Sequence, residues 1–542
     1  MSKRDLGAIA GISIFIFIAA QMWTGLDTPD SSFYTSLALF GDQVTDRAPF
    51  DFYYWTRLGY IAPVKVLTSP TTPEIGYAIY RFILITVIVA SIYSKLQRFA
   101  PSTTTLTRTY LTAAATTSTV ILSYVGNPYL TGFILAATCA VIALVATRNT
   151  GLVILAGAIV GWSAQVNPAG SILVATFFIA TALFSHQRLR NYLLAAGTAC
   201  VVFIFFIAVG LIIFPGLSWW ESFNATSDMN LGDFASTSLV WLNDISLLVP
   251  LAVLVLAIAL WWTDRTNNAY RFAFVISSVS LGFFLVFSPL MGGIALEAPM
   301  YQAMLWPPAM IAASLLFSAI PKQQWWIYVF SIAVIIGAGL LQPTLTFAVG
   351  AAIALGMVLA GAVAAQRTVI SGIVAITAFF ASAQLLQNSR TDLGLYFLSP
   401  YSWAFTPNPI AQKVSTAIEV QEWLLANTTN KDQILTWVDG SWTEGDRELY
   451  AVAAMQLWGE NRLTLEPTID DYARAIVDQV EPTVLALYGR DQDSITTMLA
   501  SLNENNMSAG DPQCIDFAWP AASNSAFPAD AGIACISRLD LP

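Results

Sequence analysis

Charge is scarce in this 542-residue chain: Asp, Glu, Lys and Arg make up only 11% of it, against about a quarter of an ordinary soluble domain. Histidine is nearly missing. The single His186 sits in "SHQRLR", and there is no Cys/His metal cluster. Neither a P-loop nor a G-x-G-x-x-G run occurs, which argues against P-loop-driven transport and against nucleotide-sugar use in a Rossmann site. No stripe of basic residues is present and the pI is near 4.6, so nucleic acid is excluded as a partner. There is no internal repeat, which weakens the case for an inverted-repeat transporter. Cysteine is limited to four positions. Cys139 and Cys200 lie inside apolar runs and read as small buried hydrophobes. Cys514 and Cys535 lie in a polar tail, where they form either a disulfide, in an oxidising compartment, or two free thiols.

Apolar sequence takes the place of charge. Hydrophobic residues make up 56% of the chain and the mean hydropathy is +0.63. About thirteen apolar segments approach or reach the length that crosses a bilayer as a helix. They lie near 6–26, 75–94, 108–125, 130–147, 151–165, 169–184, 192–214, 245–262, 271–290, 301–320, 325–341, 344–364 and 368–386. The first follows Lys3 and Arg4, is too long for a signal peptide and precedes no A-x-A-like site, so it reads as a retained membrane helix. With the N-terminus cytoplasmic, the inner connections hold Lys95, Arg98, Arg108, Arg148, Arg188, Arg190, Arg265, Arg271, Lys322 and Arg367. The outer connections at "GNPY", "QVNP", "MGG" and "QP" hold none, which is the positive-inside pattern. An odd number of spans places the C-terminal tail outside. The expected fold is an α-helical polytopic protein of the plasma membrane. Residues 1–387 form the transmembrane domain, with an outer loop at 27–74, and residues 388–542 form an extracytoplasmic α/β domain. In that tail "QILTWVDG" and "PTVLALYGR" read as strands, and "IAQKVSTAIEVQEWLLAN" and "TIDDYARAIVDQV" as amphipathic helices.

The first outer loop breaks the charge pattern. It carries Asp27, Asp30, Asp42, Asp46 and Asp51 together with Arg47, Arg57 and Lys65. It reads as two interfacial helices. In "DTPDSSFYTSLALFGD", Thr28 caps, Pro29 opens and Gly41 follows the helix. Asp30 falls in the first turn and Tyr34 one turn on, on the same face. In "FYYWTRLGYIAPVKVL", the aromatics, Tyr54 among them, suit headgroup depth, as do Arg57 and Lys65. Such a set fits sugar transfer from a lipid-phosphate donor. A carboxylate serves as base for the acceptor hydroxyl, arginines grip the leaving phosphate, and aromatic faces stack on sugar rings. Each residue also has a plainer reading. Asp30 can simply favour the helix dipole, Asp42, Asp46 and Asp51 can be loop and capping residues, and Arg57 can snorkel to anionic lipid. Arg81 falls inside the second span, where an arginine is costly and a functional candidate, or is interfacial if that helix begins later. Further along, the "SWWESFNATSDMNLGD" loop offers Trp219, Trp220, Glu221, Asp228 and Asp233, either as a substrate-facing flap or as an interfacial belt. Glu297 and Tyr301, one turn apart if helical, are candidate substrate contacts.

With "DSSFY" at Asp30–Tyr34 directly after the first span, the layout resembles the GT-C superfamily of polytopic glycosyltransferases. The protein-O-mannosyltransferase-like and aminoarabinose-transferase-like members are the most similar. Many of these carry D-E-x-x-Y in a large first outer loop and end in an outer soluble domain. The resemblance implies Asp30 as general base, Asp27 as its support or alternative, and Tyr34 in the place of the motif's tyrosine. Ser31 departs from the acidic second position, and the outer loop between the third and fourth spans offers Asn127 where a second acid is common. The implied activity is inverting transfer of a sugar from a polyprenyl-phosphate donor to an outer-face glycan, lipid or protein. Arg57 or Arg81 would lie on the donor phosphate, and Tyr34, Tyr54, Glu297 and Tyr301 on substrate. No cofactor is fixed by the residues, and a divalent cation is left open. The readings from other classes are a lipid or sugar transporter and a non-catalytic glycan-binding membrane scaffold.

Overall fold

The structure is a computed structural model. It describes residues 2–21, 34, 38, 56–71, 73–116, 125, 130–147, 149–185, 187–213, 219–220, 248–290, 303–319, 423, 426–429, 432, 434–439, 464–466, 483–504, 508–519 and 530–540. The chain divides into two compact units, Met1–Thr24 with Phe50–Pro400, and Gly25–Pro49 with Tyr401–Pro542.

The described part of the first unit is helical. In chain order it comprises α1 (Lys3–Gln21), α2 (Leu58–Thr68), α3 (Pro73–Phe99), α4 (Thr105–Thr116), α5 (Leu130–Val145), α6 (Thr150–Ala164), α7 (Pro168–Ala182), α8 (Leu189–Ile213), α9 (Leu248–Thr263), α10 (Asn268–Leu290) and α11 (Trp306–Ala319). The first ten expected spans each fall on one of these helices. Those at 325–341, 344–364 and 368–386 lie outside the described residues. Among the described residues three stretches are long and apolar enough to cross a membrane, Ile75–Phe99, Leu189–Ile213 and Asn268–Val286. Polar punctuation sets the ends of the shorter helices. The Asn149 side chain accepts from Gly151 N to cap α6, and Asn167 accepts from Gly170 N to cap α7, with Pro168 at the first helical position. The outer faces remain apolar: on α8, Val201, Ile204, Phe205 and Ile212 are all exposed, a surface suited to lipid rather than water. Contrary to the expectation of a loop from residue 95, α3 runs on to Phe99. Lys95 and Arg98 are therefore helical, their stems free to lie along apolar neighbours.

The second unit contains a six-stranded sheet in the order β2-β1-β3-β6-β4, with β5 also paired to β6. The strands are β1 (Ile434–Val438), β2 (Thr464–Glu466), β3 (Val484–Gly489), β4 (Ser508–Ala509), β5 (Gln513–Trp519) and β6 (Asp530–Asp540). β2, β1 and β3 run parallel, and β6 turns antiparallel to β3. The central strand β3 is buried along its whole length, which accounts for its uninterrupted apolar sequence. Helix α12 (Gln492–Glu504) is capped by Asp491, whose Oδ1 accepts from Ser494 N at 2.8 Å. It lays Ile495, Met498 and Leu502 on Trp437, Leu485, Leu487 and Ile533. The expected strands at "QILTWVDG" and "PTVLALYGR" are β1 and β3. The expected helix "TIDDYARAIVDQV" lies outside the described residues, as does most of "IAQKVSTAIEVQEWLLAN".

Candidate functional site

Arg57 stands directly before α2 and is 8% exposed, with Nη1 donating to Thr56 Oγ1 at 3.1 Å. The start of α2 is pinned to the corner between α6 and α7. Gly59 N donates to Gln165 O at 2.8 Å and Trp162 Nε1 donates to Gly59 O at 2.6 Å. Glycine suits that approach, because a Cβ at position 59 would sit 3.0 Å from the backbone and Cβ of Gln165, a tighter contact than most side chains make. Trp162 is itself wedged between Phe133 of α5 and Phe206 of α8, at ring separations of 5.1 and 5.4 Å. An apolar three-helix seam therefore sets the position from which Arg57 projects.

A second contact ties α2 to α3. The Tyr60 and Tyr80 rings meet edge to face at 5.6 Å. Burial is the largest influence pushing the Tyr60 hydroxyl well above the ordinary phenol range. Tyr77 and Tyr80 push the same way, and the Arg81 guanidinium opposes them. Arg57 lies one turn before Tyr60, and Arg81 directly follows Tyr80. The structure therefore brings the two sequence-predicted arginines onto adjoining elements around one aromatic contact. Arg81 lies within α3, which begins at Pro73.

Tyr34 is helical and 1% exposed, and Ala38, one turn on, is also buried. Both belong to the second unit. Cys514 and Cys535 face one another across β5 and β6 and are joined as a disulfide, with Cα atoms 4.1 Å apart. Trp219 packs edge to face on Phe203 at 5.6 Å, while Trp220 is 64% exposed. Asp27, Asp30, Asp42, Asp46, Asp51, Tyr54, Asn127, His186, Glu221, Asp228, Asp233, Glu297 and Tyr301 lie outside the described residues.

Two polar features escaped the sequence reading. Gln165 is fully buried, and among the described residues neither atom of its carboxamide has a hydrogen-bond partner. Its donor and acceptor sit at the corner that holds α2, where a buried, unmatched amide is costly. The only signal was a glutamine interrupting an apolar run in "SAQVNPAG". The second feature lies in the first turn of α1. Asp5 Oδ1 accepts from Tyr93 OH at 2.7 Å and from Arg108 Nη2 at 3.5 Å, while Oδ2 accepts from Ser2 N and Ser2 Oγ, each at 2.9 Å. It was inconspicuous in sequence, as one acid beside Lys3 and Arg4.

No protein-family model matches the sequence, and neither does any curated protein. Solved structures do match. ArnT from Cupriavidus metallidurans bound to undecaprenyl phosphate superposes with a TM-score of 0.58 at 11% identity, over 98% of this chain and 97% of that one. The same protein in its apo state gives 0.56, with the same identity and coverage. The chain thus shares the fold of that ArnT over nearly its whole length.

Proposed function

We propose that this chain is an integral-membrane glycosyltransferase of the GT-C type that moves a sugar from a polyprenyl-phosphate donor to a glycan, lipid or protein acceptor on the outer face. The observation that carries this is the fold it shares, over nearly its whole length, with a protein solved holding undecaprenyl phosphate. Two buried or helix-borne arginines around the Tyr60–Tyr80 contact are a second support, since guanidinium groups pair with phosphate oxygens in a fixed geometry.

In this reading the Asp30 carboxylate takes the proton of the acceptor hydroxyl as its oxygen attacks the anomeric carbon. The bond from that carbon to the phosphate oxygen breaks on the opposite face, and the lipid phosphate leaves with the electron pair. A single displacement inverts the centre. Arg57 and Arg81 hold the leaving phosphate and offset the charge that grows on it. Asp27 supports Asp30 or replaces it as base, while Tyr34, Tyr54, Glu297 and Tyr301 contact sugar or acceptor. A chain of about thirteen spans sets the N-terminus in the cytoplasm and residues 388–542 outside. That placement agrees with the Cys514–Cys535 disulfide, which needs an oxidising compartment.

Transfer from a radiolabelled polyprenyl-phosphate sugar in membranes tests this. Asp30→Asn should lose roughly 10²–10⁴-fold in rate, the usual contribution of a general base, with the protein still folded. Arg57→Gln should weaken transfer in protein that still folds, with any change in Tm read separately from the rate. Full activity in a folded Asp30→Asn protein would remove Asp30 from the base role. Full activity in the Arg57→Gln, Arg81→Gln double variant would remove the phosphate role of both.

A further inference from the structure

Three cations gather on three rings where α3 ends and α10 begins. Lys95 is only 2% exposed, and its ammonium lies 5.7 Å from the centroid of Phe99 and 5.9 Å from that of Phe272. Those two rings stack at 4.5 Å. Phe272 also meets Phe184 edge to face at 5.0 Å. Arg98 lies over Phe99 at 5.7 Å and Arg271 over Phe184 at 5.5 Å. Three separate segments, the ends of α3 and α7 and the start of α10, thus contribute to one cluster.

Ring faces attract cations but replace only part of the hydration a buried ammonium loses, so such a group normally takes an anionic partner. Among the described residues no carboxylate comes within ion-pair distance of Lys95 or Arg271. Asp5, which contacts α3, and Asp264, just before α10, are already engaged. Asp5 is taken up by Ser2, Tyr93, Gln97 and Arg108, and Asp264 accepts from the backbone and hydroxyl of Thr266. Among the described residues the protein thus supplies no carboxylate to Lys95 or Arg271.

The surroundings favour a lipid over a free ion. α3 and α10 both include stretches long and apolar enough to cross a membrane, and the cluster lies at their ends, where a spanning helix meets lipid headgroups. Directly beside Phe184, Leu183 is 71% exposed and Ile179, one turn earlier, is 70% exposed, which offers an apolar strip for an acyl chain. We propose that Lys95 and Arg271 bind the phosphate of an anionic phospholipid at this end of the helical unit, with an acyl chain along Ile179 and Leu183. Basic pockets between membrane helices are suited to such headgroups. The site is separate from the one assigned to transfer and does not depend on that reading.

The test uses the full chain in neutral detergent, titrated with phosphatidylglycerol or with phosphatidylcholine of the same acyl chains. Native mass spectrometry reads bound lipid, and thermal unfolding reads Tm. Phosphatidylglycerol should remain bound and raise Tm, and phosphatidylcholine should do neither. Lys95→Met and Arg271→Gln should each weaken phosphatidylglycerol binding roughly 5-fold, the effect of losing one basic contact to an anionic headgroup. Lys95→Arg should retain binding. Arg265→Gln should also leave it unchanged, because Arg265 lies over Trp262 at 4.8 Å and apart from the stack. Should Lys95→Met fail to fold, the exposed Arg271 carries the test alone. Equal binding of the two lipids, unchanged binding in Arg271→Gln, or an equal loss in Arg265→Gln overturns the proposal. Stabilisation by inorganic phosphate alone, to the same extent as by phosphatidylglycerol, overturns the lipid in favour of a free anion.

Discussion

Asp5 is a carboxylate that the fold cannot easily replace. The backbone N–H of Ser2 holds its carboxyl well below the usual range, with the Tyr93 hydroxyl and the Ser2 hydroxyl next and Arg108 a smaller influence. A group whose folded pKa is depressed stabilises the protein above its unfolded value, about 4, and that contribution fades as the pH falls through the lower folded value. Asp5→Asn keeps the shape but not the charge, leaving Arg108 and Tyr93 facing an amide. Its Tm should lie below wild type by a constant gap between about pH 6 and 8, and the gap should shrink in acid below about pH 4. A gap that widens on acidification would refute the charge-based account. Neither this contact nor the burial of Lys95 could be seen in the sequence. Tyr93 lies 88 residues from Asp5, and Phe272, on which Lys95 rests, belongs to a different helix. Charge patterning shows that a lysine belongs at a helix end, but not what it will touch.

Helix α6 shows how little side chain a close helix contact tolerates. A Cβ at Gly157 would overlap the backbone of Ala195, and one at Gly161 would overlap that of Ala199, both on α8. The four-residue spacing puts both glycines on one face. Gly161→Val should therefore force α6 and α8 apart and cost about 1–3 kcal/mol, the usual penalty for overpacking. Gly197, on α8 itself, has room for a methyl group, since nothing lies within 4 Å of where its Cβ would stand. Gly197→Ala should leave Tm unchanged or raise it, through a gain of up to about 1 kcal/mol in helix propensity. Thermal unfolding of both variants checks the pair, and a Gly161→Val protein as stable as wild type would remove the seam's importance. Helices of this kind were legible because a bilayer imposes length and apolarity on each one locally. β1 and β3 were legible for a similar reason, as short apolar, strand-like runs. β6 was not, since "DAGIACISRLD" owes its burial to partners on both sides, and α12 is short, polar and amphipathic. The site was legible as residue types, with Arg57 among aromatics. Its seating on Gly59, Gln165 and Trp162 was not, because those contacts join positions about a hundred residues apart.

Across the whole chain, the proposed topology and the disulfide make one joint prediction, because a single pair of thiols reports on both. Cys139 is buried and Cys200 is exposed on an apolar helix, where a charged, membrane-impermeant maleimide cannot follow it into lipid. Cys514 and Cys535 are bonded to each other on adjacent strands of the sheet. In right-side-out vesicles the reagent should find no thiol before reduction and should label the protein after reduction. The Cys514→Ser, Cys535→Ser double variant should stay unlabelled under both conditions. Losing the bridge should also cost the second unit roughly 3 kcal/mol, the chain-entropy value for a loop of this size, seen as earlier loss of that unit's structure on heating. In inside-out vesicles the tail thiols should become reachable only once detergent opens the membrane. Labelling from the cytoplasmic face, with or without reductant, would put the C-terminal unit on the wrong side for a transferase acting on outer-face acceptors. The proposed function would then fall with the topology, even though the fold shared with ArnT would stand.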